Sequence, residues 1–229
     1  MAFNGKYDPQ ALDDLVIETN NKWILEMMVK GLLNDHLILE GTNGTAKSTI
    51  AKLLPRLRHG QNYNIEHVKA HPRLVIDENL LNRWQNIQAW SRIAGRAQYI
   101  MIDEIDTLGN HLSLFWQWLD EWRDHVTLIG TTNKVMAIPR ALRSRAKVLT
   151  FKPVKAVDML PRARFIMKSE GLDVSESFLL SELESVESLG DIRKYMERLE
   201  CVYLNLCAGN LAKPTPTLSN KRPKMRRVK

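Results

Sequence analysis

Long apolar runs are missing from this chain. The longest, such as Val126–Gly130 and Tyr99–Ile102, fall far short of the roughly 20 residues that a membrane-spanning helix needs. The opening stretch MAFNGKYDPQ has no apolar core of the signal-peptide kind. The expected location is therefore the cytoplasm, or a host's cytoplasm if a virus encodes the chain, with no membrane partner. Cysteine is scarce: there are 2, Cys201 and Cys207, with no histidines clustered beside them. Buried helical thiols are expected there rather than a disulfide or a metal pair. No internal repeat is visible. What remains, 44% hydrophobic and 26% charged residues, is ordinary for a soluble globular protein.

Acidic residues are absent from one end. Between Leu211 and Lys229 lie Lys213, Lys221, Arg222, Lys224, Arg226, Arg227 and Lys229, with no Asp or Glu. The remaining 26 basic residues balance all 26 acidic ones, so the net charge of +7 belongs to the tail. With Pro214, Pro216 and Pro223 it is expected to be extended and poorly ordered. Attraction to nucleic-acid phosphate and simple solubilisation are equally good readings of it.

Apolar runs bounded by turn residues recur at His36–Leu39, Ile65–Lys69, Tyr99–Ile102, Val126–Thr131 and Val148–Phe151. Helical patterns alternate with them at Lys22–Lys30, Ser48–Leu57, Asn79–Ile93 and Leu112–Trp122. Such alternation predicts an α/β domain built on a mostly parallel sheet. After Pro153 the strands stop. Three helical patterns follow near Pro161–Ser169, Ser175–Glu184 and Asp191–Leu206, with Gly171 and Gly190 as punctuation. The expected organisation is an α/β body over 1–152, a helical lid over 153–209 and the basic tail over 210–229. Phe115, Trp118, Leu119 and Trp122 share one face at helical spacing, which predicts core packing rather than base stacking. Arg83, Arg92 and Arg96 fit a solvated helix face as well as a phosphate-facing one.

The run Gly41-Thr42-Asn43-Gly44-Thr45-Ala46-Lys47-Ser48 follows an apolar strand, and Thr49 continues a helix from it. That is the context of a phosphate-binding loop. Backbone N–H groups of the loop and helix start surround a β-phosphate. Lys47 brings charge to the β and γ oxygens, and Ser48 offers a hydroxyl to Mg²⁺. Ala46 stands where the consensus has glycine. Downstream, the apolar strand Tyr99–Ile102 ends in Asp103-Glu104. An acid pair at the carboxyl end of such a strand lies beside the loop. Asp103 is expected to hold Mg²⁺ through water and Glu104 to act as the base for the attacking water. The strand from Val126 ends at Thr131-Thr132-Asn133, where Asn133 is placed to orient that water or meet the γ-phosphate.

Together these pieces resemble the AAA+ ATPases, and more narrowly the clamp-loader subunits of replication-factor-C and phage type. Lys6-Tyr7-Asp8-Pro9 and Leu12-Asp13-Asp14-Leu15-Val16 are similar to the family's Lys-Tyr-Arg-Pro…Leu-Asp-Asp-Leu-Val opening, which implies that Tyr7, Pro9 and Val16 enclose adenine. Leu142-Arg143-Ser144-Arg145-Ala146 resembles Leu-x-Ser-Arg-Cys, which implies that Arg145 reaches a neighbouring subunit's ATP. Gly190-Asp191-Ile192-Arg193-Lys194 resembles Gly-Asp-Leu-Arg-Arg, which makes Arg193 the sensor-2 arginine and, by spacing to Arg145, Asn133 the sensor-1 residue. The match runs from about residue 6 to residue 208. It departs from the family at Asp8, at Ala46 and Ala146, and in lacking proline before the loop's central glycine. The resemblance implies a P-loop NTPase fold with a helical lid, ATP and Mg²⁺ as ligands, and hydrolysis of ATP to ADP and phosphate. It also implies a homo- or hetero-oligomeric ring or open ring, with primer-template DNA and a sliding clamp as partners. Helicase loading, initiator-like DNA remodelling and a weakly hydrolysing structural subunit stand as alternatives.

Overall fold

The computed structural model describes residues 3–211; the basic tail expected beyond them lies outside the described residues. Five strands form one parallel sheet: β1 (His36–Gly41), β2 (Tyr63–Lys69), β3 (Ala97–Asp103), β4 (Val126–Thr132) and β5 (Ala146–Phe151). Their spatial order is β2-β3-β4-β1-β5. Helices α1 (Phe3–Lys6), α2 (Thr19–Val29), α3 (Lys47–His59), α4 (Glu78–Ile93), α5 (Ser113–Glu121) and α6 (Arg140–Arg143) accompany the sheet. Helices α7 (Ala156–Ser169), α8 (Glu176–Glu184) and α9 (Ile192–Leu211) follow it.

The strands read as continuous apolar runs because both faces of the sheet are covered. Successive side chains point to opposite faces. Ile100, Ile102, Ile38 and Leu128 meet α4 and α5 through Trp84, Phe115, Trp118 and Leu119. Tyr99, Met101, Leu37, Leu39 and Ile129 meet α2 and α3 through Leu25, Met28, Ile50 and Leu54. The aromatic stripe of α5 is thus core, as its spacing predicts. A separate cluster joins α7, α8 and α9 around Met159, Ile166, Leu179, Leu183, Tyr195 and Leu199. Phe3 is buried in it, so the N-terminal turn packs on the lid helices.

Helix α7 starts at Ala156, five residues before the expected start at Pro161. Buried Ala156 and Met159 draw the chain into the lid core, and that packing outweighs the hydrogen bond that Pro161 forgoes early in the helix. Cys201 is exposed and Cys207 half-buried on α9. The expected burial of both thiols fails because α9 turns its apolar face, Tyr195, Leu199 and Val202, away from Cys201 toward the lid core.

Helices α4 and α8 begin with side-chain caps, Asp77 accepting from the Leu80 N–H and Ser175 from the Phe178 N–H. Helix α3 does not. Its N-cap is Ala46, in the left-handed region at φ 65° and ψ 13°. The first N–H groups of a helix have no partner within it, so α3 directs them at the loop.

His36 is buried at the start of β1, and its Nδ1 accepts from the Leu128 N–H at 3.2 Å. Burial, with help from Arg123, holds its pKa below the ordinary value. The unfolded chain therefore binds a proton more readily than the fold does, and stability declines as pH falls through about 6.5. Thermal melts at about pH 7.5 and 5.5 should show a smaller pH difference for His36→Asn than for the parent. An L-residue in the left-handed region costs about 1–2 kcal/mol, and glycine's extra chain entropy returns about 0.5–1 of that. Ala46→Gly should thus raise the melting temperature by about 2 °C in calorimetry.

Candidate active site

Because all five strands run parallel, their carboxyl ends share one edge of the sheet, and the ends of β1, β3 and β4 open onto a cleft of ≈ 560 Å³. Helices α7 and α9 form its far wall through Met159, Arg162, Ile192, Arg193 and Met196. A crevice beyond the strand ends of an open sheet is where ligands bind.

The loop after β1 supplies the floor. A side chain at Gly41 would meet the Phe151 carbonyl oxygen at 2.5 Å, so only glycine lets β1 and β5 meet there. Lys47 folds over the loop, its Nζ donating to the carbonyls of Gly41 and Thr42 at 2.7 Å each and to Asn133 Oδ1 at 3.0 Å. Burial lowers the lysine pKa, and Arg193 lowers it further, against the opposing pull of Asp103, Asp106 and Asp191. Asn133 also donates through Nδ2 to Asn43 Oδ1 at 3.0 Å, tying the end of β4 to the loop. Gly44, Ala46, Ser48 and Thr49 line the cleft with Lys47; Thr45 is buried and bonds back to the Thr42 carbonyl.

Asp103 collects donors from three elements. Its Oδ1 accepts from Ser48 Oγ at 3.0 Å and Thr131 Oγ1 at 2.9 Å, and its Oδ2 lies 2.7 Å from His67 Nε2. Burial pushes this carboxyl up, but the bonds from His67, Thr131 and Ser48 outweigh it and leave the pKa below the usual carboxylate range. The next residue, Glu104, takes φ 58°, and its N–H donates to Thr131 Oγ1 at 3.2 Å. Thr131 therefore joins the two acids, and the left-handed turn breaks the strand so that Glu104 lines the cleft beside Asp103. A hydroxyl and a carboxylate 3.0 Å apart at the mouth of the loop form a hard-oxygen pair. That pair fits Mg²⁺, which takes few protein ligands and completes its shell with water and phosphate.

The lid touches the loop at Gly44. The Ile192 N–H donates to the Gly44 carbonyl at 3.0 Å, and a side chain at Gly44 would meet Asp191 Oδ1 at 1.9 Å. Arg193 lines the cleft and is gripped by Asp191 through Nε at 3.0 Å and Nη2 at 2.7 Å. Tyr7, Pro9 and Val16 line the apolar end. They are fastened to α7: Tyr7 donates its hydroxyl to Glu170 at 2.6 Å, and Arg162 donates to Asp14 at 2.6 Å and to the Tyr7 carbonyl at 3.1 Å. Arg162, Thr131 and His67 escape the sequence reading. Thr131 stands in the quoted run before Asn133, whereas Arg162 and His67 carry no local signal.

Arg145 is the one expected site residue that lies apart. It directly precedes β5, at the opposite edge of the sheet from the cleft, a strand of 6 residues away, which is about 20 Å at strand rise. There Nε donates to Asp120 at 2.6 Å, Nη1 to the Ala141 carbonyl at 2.6 Å, and the guanidinium lies 4.9 Å from the Trp116 ring. Its own chain's cleft is out of reach.

Residues 37–154 match the ATPase family associated with various cellular activities (AAA). The replication factor C small subunit of Aeropyrum pernix is 28% identical over 203 residues, which cover 87% of this chain and 62% of that protein. Replication factor C small subunit 1 of Pyrobaculum islandicum is 28% identical over 202 residues, covering 85% and 60%. The chain thus spans about three fifths of the length of these curated relatives. Two structures of Thermotoga maritima RuvB, one described as a Holliday junction branch migration motor, superpose at TM-scores of 0.66 and 0.70. Both are 19% identical and cover 89% of this chain and 67% or 68% of RuvB, a likeness that concerns the fold alone. With the family match extending over more than half of its residues, the chain belongs to the AAA family of ATPases.

Proposed function

We propose that this chain is an ATP-hydrolysing subunit of a DNA sliding-clamp loader, with a nucleotide-binding body to residue 152 and a lid over 153–209. The observation that carries this is the meeting of Lys47, Ser48, Asp103, Glu104 and Asn133 at one cleft with the lid's Arg193 facing them. The likeness to replication factor C small subunits supports clamp loading on primer-template DNA as the work this cleft drives.

In this reading the N–H groups of residues 44–49 and the ammonium of Lys47 bind the β and γ phosphates. Tyr7, Pro9 and Val16 enclose the adenine. Ser48 and Asp103 hold Mg²⁺, which when bound offsets the charge on the phosphate oxygens. Asn133 positions a water, and the Glu104 carboxylate takes its proton as the water oxygen bonds to the γ-phosphorus and the bond to ADP breaks. Arg193 reads the γ-phosphate from the lid and passes its presence to α9. Arg145 serves a neighbour's cleft, so the sites form in an oligomer.

Lys47→Ala should weaken fluorescent ATP binding at least about tenfold. Glu104→Gln should keep that binding and slow turnover about 10²–10⁴-fold. Unchanged affinity in the first, or undiminished turnover in the second, contradicts the assigned roles. In oligomers mixing Arg145→Ala with Glu104→Gln, part of the ATPase rate should return, because some clefts then pair an intact glutamate with an intact arginine. A sliding clamp with primed DNA should stimulate the parent's ATPase. Stimulation by DNA alone, indifferent to the clamp, would point instead to a helicase loader or DNA remodeller.

A further inference from the structure

His67 stands on β2, the edge strand, in parallel register with β3, where His67 pairs with Met101 and Lys69 with Asp103. It does not line the cleft, and its side chain is 42% exposed. Yet its Nε2 is the nearest donor to the outer oxygen of Asp103, at 2.7 Å. We infer that His67 is a positioning residue that aims the metal-holding carboxylate of Asp103, an inference that rests on the site reading proposed above.

A carboxylate at the end of a strand can turn about its own Cβ–Cγ bond, and a turn of that bond changes which lone pair faces the loop. Ser48 and Thr131 both donate to Oδ1 from the cleft side. Both restrain the same oxygen, from the same side of the group. The bond from His67 holds the other oxygen, Oδ2, from outside the cleft, and so stiffens the group against rotation about Cβ–Cγ. If a cation took the place of the Ser48 hydroxyl hydrogen at Oδ1, the bonds from Thr131 and His67 would remain to hold the group, one on each oxygen. Facing an ionised carboxylate, Nε2 must carry the hydrogen, so His67 is a donor there. Outer partners of this kind typically contribute 10–100-fold in metal affinity. An exposed histidine–aspartate contact with no such role contributes little to anything, so metal dependence separates the two.

The test is the Mg²⁺ dependence of fluorescent ATP binding by the full chain, titrated from EDTA upward. In the parent, Mg²⁺ should tighten binding, and Asp103→Asn should remove most of that gain. His67→Ala should move the Mg²⁺ midpoint up about tenfold while leaving the affinity in EDTA at the parent's value. The unchanged EDTA affinity also reports an intact fold. His67→Gln, which keeps an N–H donor, should recover most of the shift. A His67→Ala midpoint equal to the parent's, or an equal loss with and without Mg²⁺, overturns the inference while the site reading stands. Parent-like Mg²⁺ dependence in Asp103→Asn overturns the site reading itself.

Discussion

The ammonium of Lys47 is the charge around which the cleft is arranged. Burial disfavours it, and a buried cation is tolerated only where oxygens replace its water. Two loop carbonyls and the Asn133 amide do so. Each requirement propagates. The carbonyls of Gly41 and Thr42 point inward because the chain leaves β1 through a residue with no side chain, packed against Phe151. Asn133 is in reach because β4 lies beside β1, although some 86 residues separate it from Lys47 in sequence. A triphosphate offers the same cation better oxygens, so on the proposed reading binding exchanges neutral acceptors for charged ones and frees Asn133 to act on water.

The same edge of the sheet carries the strained backbone. Ala46 and Glu104 are the non-glycine residues with positive φ among those described, each costing on the order of 1–2 kcal/mol. Their strain has a geometric product. The turn at Ala46 swings the uncapped start of α3 toward the cleft, and the turn at Glu104 brings to one cleft two consecutive acids that a regular strand would place on opposite faces. Thr131 holds the second turn by accepting from the Glu104 N–H while donating to Asp103. Strain of this kind persists only where neighbours over-determine it.

The elements themselves were legible in the sequence because each rests on local pattern. Apolar runs marked all five strands, and the α5 stripe marked a buried face. The loop and the acid pair were legible because a contiguous run carries their chemistry. Contacts set by tertiary closure were not. Nothing near Arg162 in the chain announces that it fastens Asp14 and the Tyr7 carbonyl, some 148 and 155 residues away. His67 meets Asp103 only because β2 pairs with β3. The start of α7 was misplaced for a related reason: Pro161 is a local signal, and the lid core that overrides it is not local.

The topology also bears on assembly. A parallel sheet sends every strand's carboxyl end to one edge, so a residue at the amino end of β5 is as far from the cleft as the sheet allows. Arg145 occupies that position. Asp120, the Ala141 carbonyl and the Trp116 ring hold its guanidinium there rather than leaving it to sweep through solvent. On the proposed reading, an arginine that completes another subunit's site from one edge, while its own chain's site lies at the other, makes a head-to-tail contact. Contacts of that type do not pair off into dimers; repeated, they close a ring or run on as a helix. On that reading the lid would be the adjustable part of each repeat. It meets the body through Gly44 and through the N-terminal segment bound to α7. A phosphate drawing Arg193 away from Asp191 would change the angle at which one subunit presents Arg145 to the next.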